Sequence, residues 1–557
     1  MHLLIVVLSA WFFICGCSKN HKELALKNDT IERSHSLIVS QNWLNESDCE
    51  KIKYDIFDCP NRSENFSIGT MYCITSSSTD TIEVGKCTFG ACAESYCYHN
   101  TIPNNQSIAK KFMCTHFSRS GTLCGQCQDG YYPLVYSFDM KCVKCPHGKS
   151  NWWKYLLVAF LPITVFYMIV IFFKINITTS PLHGAVLYCQ IISMPGMLRI
   201  LVTIQKDKIP IMSMLQKCFV SFYGVWNLDF FRLIDLNICL QTSTLSTLAL
   251  ELIPGVYPLL LMILSYCLVE LYDRNFRPLV FIWRPFGKLF SLIKKNWEIK
   301  TSLIDGFATF FALTNVKFLS VSFDLLAPVT VYSLNISASS TPTSVTRLYY
   351  DATVPYFSGN HLPYAILAII VLLLFVLSPI ILLMIYPFRW FQRLLALFPV
   401  RWQHILHTFI DSFQGCYKDG TEPGTRDCRW FASVFFLLRL ILLVIGAFTF
   451  NFEYFPLASI LLVLVAALLV AIQPFKENVR NYNKINVAFL LLLALWYTNA
   501  ISLVRFSTLR KPLFAVAGVT GGLPILYVVS IVFHWIFSRR IFKRRYAVWR
   551  QGYSQLE

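Results

Sequence analysis

The most specific local chemistry in this sequence lies in two cysteine pairs. Cys124-Gly-Gln-Cys127 is followed, after fourteen residues, by Cys142-Val-Lys-Cys145. Read as bare spacing, paired C-x2-C elements place four thiolates where a tetrahedral zinc ion would take them. In an oxidising compartment the same thiols become disulfides, which staple a domain too small to bury a large core. Eleven of the 19 Cys fall in one stretch, with Cys49, Cys59, Cys73, Cys87, Cys92, Cys97 and Cys114 completing the set. The chain opens with an apolar run, Leu3 to Ile14, then Cys15-Gly-Cys17 and polar residues, the layout of a secretory signal. Disulfides are therefore expected, with no bound metal. A C-x2-C pair can close on itself, but a four-residue ring strains disulfide geometry, so each partner more often reaches elsewhere. An odd set of eleven leaves a thiol for Cys17, Cys218 or Cys239.

Ionisable side chains inside long apolar runs are the second signal. Glu251, Lys317, Asp324 and Arg439 each sit in such a run. Facing lipid, each would cost at least ~2.5 kcal/mol, so an intramembrane polar cluster is expected. Lys317 and Asp324 share a helix face two turns, ~10 Å, apart and do not meet directly. Arg439 is the expected partner of Asp324, which leaves Lys317 to Glu251 or to helix carbonyls. Such a cluster either glues helices together or lines a pathway. Pro195-Gly196 interrupts a further apolar run, as a kink or as a discontinuous helix at a binding site.

No catalytic constellation accompanies these groups, and neither an enzyme nor a cofactor is expected. His404 and His407 lie three apart on one helical pattern but lack a third ligand. Gly518 and Gly521-Gly522 lie in an apolar stretch and read as helix packing.

These residues need a membrane bundle to hold them. The chain is 55% hydrophobic and 14% charged, against about 25% charged in soluble domains. Its mean hydropathy is +0.51. The net charge of +18 lies mostly in loops beside apolar runs, which favours lipid headgroups over nucleic acid as partner. The fold class expected is an all-α polytopic membrane helix bundle with a small disulfide-rich, loop and β extracellular domain. Residues 1–17 read as signal peptide, 18–150 as Cys-rich ectodomain with an EGF- or laminin-like element at 119–145, 151–538 as bundle, and 539–557 as basic cytosolic tail. Sequons at Asn28, Asn45, Asn61, Asn65 and Asn105, with Asn335 further on, are N-glycosylation candidates.

About nine spans are expected, at 152–173, 182–204, 246–272, 303–330, 362–386, 431–450, 456–473, 485–504 and 514–537. If all cross, 22 Lys and Arg fall in the loops and tail on one side and 8 on the other. Positive charge favours the cytosol, so the N-terminus is outside and the C-terminus inside. In the cytosolic loop 387–430, Trp402, Ile405, Leu406, Phe409, Ile410 and Phe413 form an apolar helical stripe. That stripe either lies on the inner membrane surface or packs on the bundle.

Five stretches carry a resemblance: Leu123–Cys127, Val225-Trp-Asn-Leu-Asp-Phe230, Leu348-Tyr-Tyr-Asp-Ala-Thr-Val354, Phe409–Gly420 and Gln473-Pro-Phe-Lys-Glu477. In these the chain resembles multi-pass Cys-rich surface proteins abundant in sponges and cnidarians, over roughly residues 115–505. That resemblance implies architecture and no activity. In layout alone it is similar to fungal transient-receptor-potential-like proteins. The expected role is a channel-like or transporter-like plasma membrane protein acting on an ion. The alternatives are a receptor that binds an extracellular ligand through the ectodomain, or a lipid scramblase. Oligomerisation is compatible with any of them.

Overall fold

The computed structural model describes residues 72–76, 81–86, 118–122, 125–134, 142–145, 150–179, 182–192, 222–230, 238–274, 299–335, 343–422, 425–448, 455–479, 481–505, 516 and 519–531. The signal segment, the basic tail, Pro195, Gly196, the sequons at Asn28, Asn45, Asn61, Asn65 and Asn105, and Cys49, Cys59, Cys87, Cys92, Cys97, Cys114, Cys124 and Cys218 lie outside them. The chain divides into two compact units. One comprises 1–67, 99–101 and 522–557, in which the described residues, 522–531, are helical. The other comprises 68–98 and 102–521 and holds all the remaining described residues.

That larger unit is mostly helical. Its helices are α1 (Trp152–Phe173), α2 (His183–Ile192), α3 (Thr244–Leu250), α4 (Ile253–Asp273), α5 (Ile299–Leu326), α6 (Leu362–Val371), α7 (Ser378–Ile385), α8 (Arg389–Leu395), α9 (Val400–Gln414), α10 (Phe431–Phe448), α11 (Phe455–Ile472) and α12 (Asn481–Arg505). Among the described residues, 5 helical stretches are long and apolar enough to cross a membrane: 152–173, 244–273, 300–326, 359–385 and 455–472. Shorter apolar helices occupy 183–192, 431–445 and 519–531. Leu156, Leu161, Met168 and Phe172 on α1, Ile366 and Ile370 on α6, and Ile460 and Leu464 on α11 are exposed. Rows of large apolar side chains on the outside of a packed bundle suit lipid. These features are those of a multi-pass membrane protein.

Helix α5 is the hub. Its apolar window is 89% buried, against 28–33% for the other four long stretches. It therefore tolerates Ser302, Thr309, Thr314, Asn315 and Lys317, all buried. Helix α2 is also central, with all ten residues buried. The apolar run 182–204 thus begins inside the bundle rather than against lipid.

The structure departs from the sequence expectation at the end of α5. The helix stops at Leu326 instead of running to 330. Pro328 cannot donate a helical hydrogen bond and disfavours helical backbone at Ala327. The following Val-Thr-Val-Tyr alternation then makes a strand. Strands β7 (Pro328–Asn335), β8 (Thr343–Leu348) and β9 (Asp351–Pro355) form an antiparallel meander. To its free edge adds a hairpin from early in the chain, β1 (Tyr72–Ser76) and β2 (Thr81–Lys86), in the order β1-β2-β7-β8-β9. Strand β2 pairs β7 antiparallel from Thr81↔Asn335 to Gly85↔Val331. The segment 151–538 is therefore not all helix, since its strands β7, β8 and β9 form one sheet with the hairpin β1–β2 from residues 72–86.

Two smaller ribbons stand beside it, β3 (Arg119–Ser120) with β4 (Gln126–Cys127), and β5 (Tyr131–Pro133) with β6 (Cys142–Lys144). Cys127 and Cys142 lie at disulfide distance, as do Cys145 and Cys239. Among the described residues, Cys127, Cys142 and Cys145 thus find partners outside their own C-x2-C pair, and Cys239 takes up Cys145. Cys145–Cys239 ties the ribbons to the approach of α3. Asn151 N–H also donates to the Cys239 carbonyl at 2.9 Å. One end of the bundle thus gathers the sheet, both disulfides and the start of α1.

Candidate functional site

Lys317 lies on α5, well inside the helix, and its side chain is 5% exposed. Its Nζ contacts Asp229 Oδ1 at 2.6 Å and Glu251 Oε2 at 3.1 Å. Glu251 is among the candidates the sequence offers. Asp229 is not, because 205–245 reads as an outward loop. Instead Phe222–Phe230 enters the bundle as one helical turn followed by a tight turn, with Asn227 and Asp229 buried. Leu228 has a positive φ of 56°, a conformation unusual for a branched side chain and one that turns Asp229 inward. The Trp226-Asn-Leu-Asp229 run, polar residues within an aromatic stretch, is the signal that marks it.

Three interruptions of regular helix converge on this level of α5. Helices α3 and α4 break at Glu251-Leu252, with Pro254 just after. The turn at 226–229 delivers Asp229. A π-helical segment, Leu372–Leu377, joins α6 to α7. A π-turn leaves backbone groups without their usual partners. Asn315 Nδ2 donates to the Phe375 carbonyl of that segment at 3.1 Å, and the Phe318 ring lies 4.8 Å from that of Phe375.

Arg439 does not meet Asp324, against the sequence expectation. Its Nε donates to Gln190 Oε1 at 3.0 Å. Gln190 Nε2 in turn donates to the carbonyls of Trp226, Ala312 and Leu313. Arg439 is thus level with the middle of α5, whereas Asp324 is eleven residues, ~16 Å, further along it. Asp324 accepts instead from the Tyr350 hydroxyl at 2.8 Å. Tyr350 belongs to the strand-linking turn after β8, so the sheet holds the end of α5. The expected cluster separates into two centres, Lys317 with Asp229 and Glu251, and Arg439 with Gln190.

The sheet end is fitted closely. A Cβ on Gly125 would lie 2.5 Å from Ala352 N, so only glycine allows this approach. Asp351 Oδ1 accepts from Thr353 N and Oγ1 at 3.2 and 2.5 Å. Two of the five stretches that carry the resemblance therefore pack on each other.

Two more do so at the opposite end. Lys418 N–H donates to the Pro474 carbonyl at 2.8 Å and Lys476 N–H to the Cys416 carbonyl at 3.1 Å. Tyr417 stacks on Phe475 with centroids 4.9 Å apart. Asp419 is held well below the usual carboxylate range by hydrogen bonds from the Thr421 hydroxyl and N–H, and by Lys476 at 3.1 Å. Burial pushes the Cys416 thiol up to about 12. Nearby, Asn176 Nδ2 and Ser412 Oγ both donate to Asp305 Oδ1, each at 3.0 Å, joining the end of α1, α5 and α9.

The apolar stripe of α9 packs on the bundle, with Ile410 and Phe413 buried and Phe409 5.5 Å from Phe307. His407 pairs with Asp411 at 2.7 Å across one helical turn. The exposed apolar edge lies earlier, at Trp390, Leu394, Leu397, Phe398 and Val400.

No family model, curated protein or solved structure matches this chain.

Proposed function

We propose that this is a channel-like or transporter-like plasma membrane protein, N-terminus outside and C-terminus inside, whose ion route passes the Lys317–Asp229–Glu251 centre. The observation that carries the reading is the meeting of three helix interruptions at one buried ion-paired level of α5. Irregular backbone at membrane depth is tolerated where protein encloses it or where it lines a cavity, and transport sites are built this way.

The orientation rests on redox chemistry and charge. Both cysteine pairs lie at the sheet end, while Cys416 and Cys428 are free thiols at the other. Disulfides persist outside the cytosol and thiols inside it. The 22-to-8 distribution of Lys and Arg favours the same direction. The ectodomain hairpin joins the strand that leaves α5, and Tyr350 grips Asp324, so displacement of the sheet would be felt along α5.

Whole-cell current recording and isotope flux on expressing cells test the proposal. Glu251→Gln, at the most exposed of the three groups, is expected to alter conductance or charge selectivity without loss of surface protein. Unchanged currents and fluxes in wild type and variant, beside ligand-dependent signalling through the ectodomain, would replace transport with a receptor role. Lipid movement without ion flux would favour a scramblase.

A further inference from the structure

Arg439 is completely buried, and among the described residues it meets no carboxylate. Its Nη1 reaches the Phe435 carbonyl at 3.5 Å, and its guanidinium carbon lies 5.0 Å from the Phe436 ring centroid. Nη2 makes no hydrogen bond within the described residues. Gln190 supplies a carbonyl dipole and no charge. An arginine cannot shed its proton, and an ion removed from water is strongly disfavoured without an opposite charge.

Two further buried groups face the same region without side-chain hydrogen bonds among the described residues. His183, on α2, is 4% exposed, and neither of its ring nitrogens makes a hydrogen bond. Its ring lies 4.5 Å from that of Phe435, the residue whose carbonyl Arg439 approaches. Tyr417 is fully buried, with its hydroxyl likewise unsatisfied. Its ring is 6.4 Å from that of Phe431, one turn before Phe435 on α10. A helical side chain leans toward the N-terminus of its helix, so the Arg439 guanidinium is drawn toward both. His183 and Tyr417 lie within direct electrostatic reach of its charge.

Among the spare groups are three donors: the Nη2 hydrogens, an imidazole N–H and the Tyr417 O–H. Three buried donors without acceptors, beside a positive charge that no carboxylate among the described residues meets, suit a negative occupant. We infer that Arg439, His183 and Tyr417 hold a small monovalent anion of the halide class between α2, α10 and the turn after α9. The site is separate from the Lys317 centre and stands whether or not that centre carries transport. Its anion gives Arg439 the opposite charge that no acidic side chain among the described residues brings into contact with it.

The test uses the full-length protein in detergent. Its thermal unfolding midpoint is followed as gluconate is replaced by chloride at constant ionic strength. A saturable rise of at least ~2 °C is expected, with bromide acting alike. His183→Asn and Tyr417→Phe should each raise the half-maximal chloride concentration about threefold to tenfold, through weakening or loss of one donor. Arg439→Gln should abolish the dependence, and if it does not fold, the other two variants decide. Glu251→Gln, which is expected to keep its surface protein, should retain the dependence, which separates this site from the proposed route. A wild-type midpoint indifferent to chloride overturns the inference. So does a chloride response unchanged in both His183→Asn and Tyr417→Phe.

Discussion

Lys317→Met removes the ammonium that sits between two buried carboxylates. At an effective dielectric of ~20, the contacts at 2.6 and 3.1 Å carry attractions of roughly 6 and 5 kcal/mol. The carboxylates lie no further apart than those two contacts laid end to end, so they repel by roughly 3 kcal/mol or more. Desolvation of three ions, several kcal/mol each, offsets most of the remainder. The net worth of the pairing is small, yet breaking it takes the ammonium from Asp229, whose side chain is 3% exposed. Measured costs of breaking such buried pairs are about 3–5 kcal/mol. Total stabilities are ~5–15 kcal/mol, so the variant should lose much of its surface population. Its unfolding midpoint in detergent should fall by roughly 2–4 °C. Adding Asp229→Asn to Lys317→Met removes the carboxylate charge that the ammonium had matched and should recover at least half of that fall. Surface biotinylation and a thermal scan read both outcomes. A single variant within ~1 °C of wild type would refute the reasoning, as would a double variant less stable than Lys317→Met alone.

A C-terminal epitope tag should be stained only after permeabilisation, and a tag in the β7–β8 connection should be stained on intact cells. Non-reducing digestion and mass spectrometry should recover Cys127 joined to Cys142 and Cys145 to Cys239. Cys239→Ser should cost ~2–5 kcal/mol and slow export, since the bond joins residues 94 apart in the chain. Cys416, with its thiol at about 12, should resist alkylation at pH ~7.5 until the protein is denatured. The Asp419 carboxyl is depressed in the folded state, so its stabilisation is complete above an unfolded pKa of ~4. That contribution is lost only as pH falls through the lower folded value, so amides at 416–419 should stay protected from exchange at pH ~4. In Asp419→Asn they should exchange faster at neutral pH.

Composition and local pattern mark the long apolar helices of this chain and anticipate cysteine pairing. Apolar length marks the long helices, because hydrocarbon demands that backbone groups be satisfied within a segment. Cysteine density and the leading apolar run anticipate disulfide partners outside each C-x2-C pair, with Cys239 among the candidates for the leftover thiol. Ring strain is a local property, so it is legible. The partners of the buried charges are not. Lys317 needs a counter-charge, but Asp229 lies 88 residues away in a stretch that reads as an outward loop. Charge alone matches Arg439 to Asp324, and depth along α5 decides otherwise. The β2–β7 pairing joins Thr81 to Asn335 across a large part of the chain. Strand partnership at such separation leaves no local mark, because each strand shows only its own alternation. Packing is decided by which surfaces coincide in space, and in this bundle α5 fixes that by being buried along nearly its whole length.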